Sequence, residues 1–322
     1  MQNVVGIDVS KEKLDVCALF DGKSRKKIVD NSVSGFKSLH NWISKTNIDN
    51  PHFCIESTGC YSEAVAEFFH EHRFKVSLVN PLQTSYFKNC KLIRQKTDSV
   101  DAQAIAEFCL QNDPAPWTPR SPERKELHNI NVRISALKAE VNRASNALEN
   151  KSLSNVILKS IYDEIEVLKK QIAMLEDETR KIINSNQDLK QQFDIITGIK
   201  GVGEKLAFVI IADMPDVSNF QKSGQYSAFV GVSPSHFQSG SSVHGKSHIS
   251  RLGSKSIRKV LYMSALVVKN HNSHFQKFVQ KLQKKGKAPK VIIVAIMRKL
   301  MCILFGMLKN SSNFDPKLAF HD

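Results

Sequence analysis

The 322-residue sequence predicts an α/β domain followed by a mainly helical remainder, α/β plus α in class. Three observations predict this. Short apolar runs alternate with helix-period segments over the first 110 or so residues, the mark of strands interleaved with helices. Four prolines then fall within residues 112–122, where missing amide donors and fixed backbone angles stop regular structure and mark a boundary. Beyond them apolar residues recur at steps of three and four over long stretches, the period of amphipathic helices.

Taken in order, Asn3 to Val9, Leu14 to Phe20 and Ile28 to Val33 read as three antiparallel strands, with Asp21-Gly22 as the turn between the last two. Ser34-Gly35 opens a helix through Phe36, Leu39, Trp42 and Ile43. His52 to Ser57 reads as a strand, Ser62 to His72 as a helix and Lys75 to Val79 as a closing strand. A mixed sheet covered by helices is expected over residues 1–112.

Leu127, Ile130, Ile134, Leu137, Val141, Ala144 and Leu148 form one narrow apolar seam. Ile161, Ile165, Leu168, Ile172 and Leu175 form a second. Such seams must pack on a partner, so residues 123–190 predict coiled-coil helices, paired either as a hairpin turning near Asn150 to Asn155 or across a dimer. Residues 191–322 form the third region. Ile195 to Gly203 places glycines where two helices meet; it reads either as a helix-hairpin-helix-like element holding DNA phosphate on turn amides or as a plain glycine-capped turn. Phe229 to Gly245 reads as a polar loop, with helices resuming near Ser254. The apolar run Val291 to Leu308 carries Arg298 and Lys299 at its centre, which argues for a buried helix and no membrane.

Composition narrows the partners. The net charge is +15, and the excess is confined to one block: between Asp216 and Asp315 there is no acidic residue but thirteen lysines and three arginines. A one-sign block that is also rich in Val, Ile, Leu and Phe should fold and attract a polyanion, so nucleic acid is the expected partner. The six cysteines show no zinc-ligand spacing, and the first residues lack a signal-peptide pattern; both point to a cytoplasmic protein with reduced thiols.

Four acids stand at element ends. Asp8 closes the first strand, Glu56 a later one, and Asp98 and Asp101 lie three apart at a helix start, hence on one face. Four carboxylates in a small space repel, and two Mg2+ ions would cancel their charge and supply the hard-acid chemistry of phosphodiester displacement. Singly, each acid also has an ordinary reading as a strand end, a surface group or a helix-start residue favoured by the macrodipole.

Gly6-Ile-Asp8-Val-Ser-Lys with Leu14-Asp-Val, Ile55-Glu56-Ser-Thr-Gly59, Asn80-Pro81, Lys96-Thr-Asp98-Ser-Val-Asp101-Ala, Gly231-Val-Ser-Pro234 and Gln238-Ser239-Gly240 resemble, in order and spacing, the DEDD transposases of the insertion sequence 110 group, which includes the Piv and MooV type invertases. The resemblance implies a RuvC-like, ribonuclease H-like amino-terminal domain, a coiled-coil linker and a carboxy-terminal transposase domain. It implies that Asp8, Glu56, Asp98 and Asp101 hold Mg2+ and that Ser239 attacks DNA to leave a phosphoserine link, with Ser241 and Ser242 as neighbouring alternatives. It further implies a bridge RNA guide and a homo-oligomer, dimer or tetramer. Lys246, Arg251, Lys255, Arg258 and Lys259 follow the serine and are expected to grip nucleic-acid phosphates. Two rival readings share these letters: a RuvC-like junction-resolving nuclease that uses water, and a non-catalytic nucleic-acid-binding protein.

Overall fold

The computed structural model describes residues 3–46, 48–92, 97–235, 238–239, 243–244, 248–249 and 252–320. The chain divides into two compact units, Met1–Pro119 and Arg120–Asp322.

The first unit is built on a five-stranded mixed sheet. Its strands are β1 (Val4–Val9), β2 (Lys13–Phe20), β3 (Lys23–Asp30), β4 (His52–Glu56) and β5 (Val76–Val79), in the order β3-β2-β1-β4-β5. The first three form an antiparallel meander, while β4 and β5 run parallel to β1. Helices α1 (Val33–Lys45) and α2 (Cys60–Glu71) supply Phe36, Leu39, Ile43, Val65 and Phe69 to one core with Val5, Ile7, Phe53 and Ile55. The opposite face holds Val4, Cys17 and Cys54 against Ala102, Ile105, Ala106 and Cys109 of α4 (Asp98–Asn112). A further helix, α3 (Pro81–Cys90), starts on a capping box in which Asn80 accepts from its first turn and Gln83 bonds back.

The sequence reading of this unit needs two corrections. The third strand is Lys23–Asp30, not Ile28 to Val33; it is a Lys-rich edge strand whose exposed charged face hides the apolar alternation that strand reading relies on. Ser32 instead caps α1, accepting from the Gly35 amide. Helix α3 was not expected from periodicity: Thr84 is its one buried residue, so it has no apolar stripe to read.

The second unit begins with α5 (Pro122–Ala147) and α6 (Asn155–Ser185), which pack on each other within the chain. Lys138 pairs with Glu176 at 2.8 Å, and Leu127 shares a core with Ile183, so the two helices run antiparallel, the intramolecular one of the two expected pairings. Helices α7 (Gln187–Thr197) and α8 (Glu204–Asp213) meet at the glycine turn, where a Cβ on Gly201 would approach Val268 to 3.0 Å and the Asn272 side-chain amide (Nδ2) donates to the Lys200 carbonyl. After α9 (Ser223–Val230), the expected polar loop is a nest of two-residue ladders: β6 (Pro234–Ser235) with β9 (His248–Ile249), and β7 (Gln238–Ser239) with β8 (Val243–His244). Helices α10 (Lys255–His271), α11 (Ser273–Lys284) and α12 (Pro289–Lys309) follow, and a short helix, α13 (Pro316–Ala319), ends the described part of the unit. By length and composition α12 could cross a membrane, but half of its apolar window is buried in this core, where Ile296, Leu300 and Leu304 are fully enclosed.

Candidate active site

Strand register brings the first acids together. Gly6 lies opposite Cys54 on β4 and opposite Cys17 on β2, so the next residues on that face are Asp8, Glu56 and Asp15. Asp8 and Asp15 are direct cross-strand partners. All three leave the sheet on the side covered by α4, whose first turn carries Asp98 and Asp101. Thr97 caps that helix by accepting from the Val100 amide, and the acids sit where the macrodipole favours negative charge.

Gly6 explains how closely the helix approaches. A Cβ there would lie 2.3 Å from the Ala106 nitrogen and 2.4 Å from the Ala102 oxygen, so the α4 backbone rests directly on β1. Glycine on the strand and alanines on the helix thereby draw the α4 acids to the Asp8 end of the sheet.

The electrostatics register this crowding. Asp8 is pushed up to about 6, first by burial and then by repulsion from Glu56, Asp101, Asp98 and Asp15. The neighbouring side chains offset part of the negative charge. Lys13 donates to Asp98 at 2.7 Å and pairs with the buried Asp15 at 3.0 Å; Lys88 donates to Asp101 at 3.0 Å; Thr84 donates to Glu56 at 2.6 Å. The Lys13 ammonium holds Asp98 below the usual carboxylate range.

Asp15, Lys13, Thr84 and Lys88 were missed in the sequence. Signals for them existed: an acid between Leu14 and Val16 in an apolar strand, and Thr84 and Lys88 four apart on the helix opened by Asn80-Pro81. The donor set is all carboxylate oxygen, which suits a hard divalent cation, and the repulsion at Asp8 is what such a cation would relieve. Among the described residues no three acidic, histidine or cysteine side chains close on one point; Asp98 and Asp101 are turned to lysines.

In the second unit Ser239 lies on β7, paired with Val243 of β8. Ser241, Ser242, Lys246 and Arg251 fall outside the described residues. Lys255 and Lys259 are exposed on the first turns of α10. Arg258 is half-buried, and its Nη1 donates to the carbonyls of Val230 and Leu252 at 2.9 and 3.1 Å. The six cysteines are all free thiols; Cys54 of β4 and Cys109 of α4 are neighbours in the core between sheet and helix.

Two family models match the chain. One, of the insertion sequence 110 DEDD type and described as "Transposase", matches residues 5–162; the other, described as "Transposase IS116/IS110/IS902 family", matches residues 194–280. The chain is 31% identical over 317 residues to a protein called "Pilin gene-inverting protein" in Moraxella bovis, covering 98% of each, and equally to its namesake in Moraxella lacunata. It is 21% identical over 164 residues, 51% of this chain and 39% of the other, to the "Insertion element IS110 uncharacterized 43.6 kDa protein" of Streptomyces coelicolor. Agreement along almost the whole chain with pilin gene-inverting proteins, and of both its halves with transposase models, makes this chain a member of the IS116/IS110/IS902 transposase family and an enzyme of DNA recombination.

Proposed function

We propose that the chain is the transposase of an insertion sequence and cuts and rejoins DNA through a phosphoserine intermediate. The observation that carries this reading is the placement of Asp8, Glu56, Asp98 and Asp101 at one end of the sheet, near enough that each of the other three raises the proton affinity of Asp8, although Asp98 and Asp101 are paired with lysines. The strand order, with an antiparallel meander leading into parallel strands, supports a RuvC-like, ribonuclease H-like reading of the first unit. The three domains, in this reading, are 1–112 catalytic, 123–190 coiled coil and 191–322 carboxy-terminal.

The four acids would hold Mg2+, which when bound polarises a DNA phosphate and stabilises charge on the entering and departing oxygens. Asp8 and Glu56 are fixed by strand register, while Asp98 and Asp101 ride on α4. Thr84 orients Glu56 by donating to it. Ser239 is the nucleophile: its Oγ–P bond forms as one P–O ester bond of the DNA breaks, the serine proton is given up and the departing deoxyribose oxygen gains one. The ester count is unchanged, so the strand can be rejoined by the reverse displacement.

Lys255 and Lys259, with Lys246 and Arg251, supply positive charge for phosphates, and the α7–α8 glycine turn offers backbone amides to the same end. A homo-oligomer working in the cytoplasm with a bridge RNA completes the reading. No letter of the sequence specifies RNA over DNA, but the acid-free basic block suits recognition by shape.

The similarity over 98% of both chains to pilin gene-inverting proteins favours a second reading, inversion of a DNA segment between paired sites. The test is incubation of the chain with Mg2+ and DNA flanking its own reading frame, followed by denaturing electrophoresis and sequencing of copurified nucleic acid. A protein–DNA adduct lost in Ser239→Ala and in Asp8→Asn is expected. Cutting that survives Ser239→Ala would mean a water-using nuclease, and recombination in cells undisturbed by Asp98→Asn would mean a non-catalytic binder. A discrete noncoding RNA in the preparation separates guided transposition from inversion.

A further inference from the structure

The segment carrying Ser239 leaves the core after α9 and returns at α10, and its two ends touch. Gly231, in the left-handed region at φ 81°, ends α9, and Gly253, at φ 103°, precedes the α10 cap. A Cβ on Gly231 would fall 2.0 Å from the Leu252 oxygen and 2.4 Å from Arg258 Nη1; one on Gly253 would fall 2.6 Å from the Gly231 nitrogen. The outgoing and returning backbones therefore cross at a distance only glycine permits. The Ser254 amide donates to the Phe229 carbonyl at 3.3 Å across the same crossing.

Arg258 bridges this neck. Its Nη1 donates to Val230 on the outgoing side and to Leu252 on the returning side, one hydrogen for each carbonyl. A guanidinium is always charged and its donors are fixed in a plane, so it satisfies both carbonyls at little entropic cost. The residue is itself tied down. It lies in the first turn of α10, where Ser254 accepts from Ile257 and Ser256 donates to Asp213 at 3.0 Å. Beyond the neck come the β6–β9 ladder and then β7 with Ser239.

We propose that Arg258 is a positioning residue that closes the neck of the serine hairpin, and not a ligand of DNA phosphate. Its positioning role rests on the reading of Ser239 as nucleophile, while the closure itself does not.

The experiment compares the full chain with Arg258→Gln, Arg258→Lys and Gly253→Ala by hydrogen exchange, by DNA affinity against salt, and by the rate of Ser239-dependent adduct formation. Expected is at least about tenfold faster exchange at Val232, Ser233 and Ile249 in all three variants, including Arg258→Lys, which keeps the charge. Adduct formation slows by about tenfold or more, while DNA affinity stays within about twofold and its salt slope is unchanged. Gly253→Ala carries no charge change and keeps the test open should Arg258→Gln fail to fold. Unchanged exchange, together with a salt slope reduced by about one in Arg258→Gln and restored in Arg258→Lys, would make Arg258 a phosphate contact and overturn the proposal. Faster exchange with undiminished cutting would overturn the positioning role. Should Ser239→Ala also cut, it is the serine reading that has failed, whatever the exchange shows.

Discussion

Lys13 Nζ lies 2.7 Å from Asp98 Oδ2, joining residues 85 apart in sequence, and the same ammonium reaches Asp15 at 3.0 Å. A lysine placed between two acids is an internal counter-ion, and a divalent cation would have to compete with it for Asp98. Lys13→Met is therefore expected to bind Mn2+ a few-fold more tightly than the parent chain, measured by calorimetry in the absence of DNA. The difference should shrink as salt is raised, because both partners are substantially solvated. Weaker Mn2+ binding in the variant would show that Lys13 orients the acids for the metal.

Asp8 sets the pH dependence. Its carboxyl is raised from 3.8 to about 6, so the folded chain holds this proton more tightly than the unfolded chain does. The resulting stabilisation is complete below about pH 4 and is lost as pH rises through 6. Because the group is partly exposed, its size is of the order of 1 kcal/mol after solvent screening. Metal affinity runs the opposite way, since a proton on Asp8 must leave before the oxygen can serve as a ligand. Calorimetric Mg2+ affinity should rise between pH 5 and about 6.5 and level off above. In Asp8→Asn the slope over that interval should flatten.

Gly6→Ala tests whether close packing assembles the acids. The added methyl would meet backbone atoms of Ala102 and Ala106, which cannot yield by a side-chain rotation, so α4 must move off β1. Overpacking of this kind costs about 1–3 kcal/mol. Since α4 carries Asp98 and Asp101, Mn2+ affinity should fall together with the melting temperature. A variant destabilised to the same degree at Val29, in the core on the other face of the sheet, should bind Mn2+ as the parent does.

Much of this arrangement was readable from the sequence, and the gaps have physical causes. Asp8 and Glu56 could be placed at strand ends because the residues before them, Ile7 and Ile55, lie in apolar runs that bury completely. The i, i+3 spacing put Asp98 and Asp101 on one face. What could not be read was pairing. Asp15 becomes a neighbour of Asp8 only through the β1–β2 register, and Lys88 meets Asp101 only once α3 is docked beside α4. The serine hairpin looked like a loop because its ladders are two residues long, too short for any alternation to show. Gly231 and Gly253 lie 22 positions apart, and sequence spacing gives no sign that they touch.

Asp213 offers the sharpest stability test in the second unit. Its Oδ2 accepts from Asn131 and Ser256 at 2.8 and 3.0 Å, and its Oδ1 accepts from His128 Nδ1 at 2.8 Å. One part-buried carboxylate thus ties α5, the end of α8 and the first turn of α10 together. Asp213→Ala leaves three polar groups without their acceptor, at a cost of about 3 kcal/mol, which for a unit of this size lowers the melting temperature by roughly 10 °C. Ser256→Ala removes one bond and should cost about 1 kcal/mol. Because Ser256 is the link into α10, this milder variant should also speed exchange at Val232 and Ile249, whereas Asn131→Ala, acting on α5, should leave those amides unchanged. Equal exchange in the two variants would mean that Asp213 stiffens the whole unit and gives the hairpin no separate support.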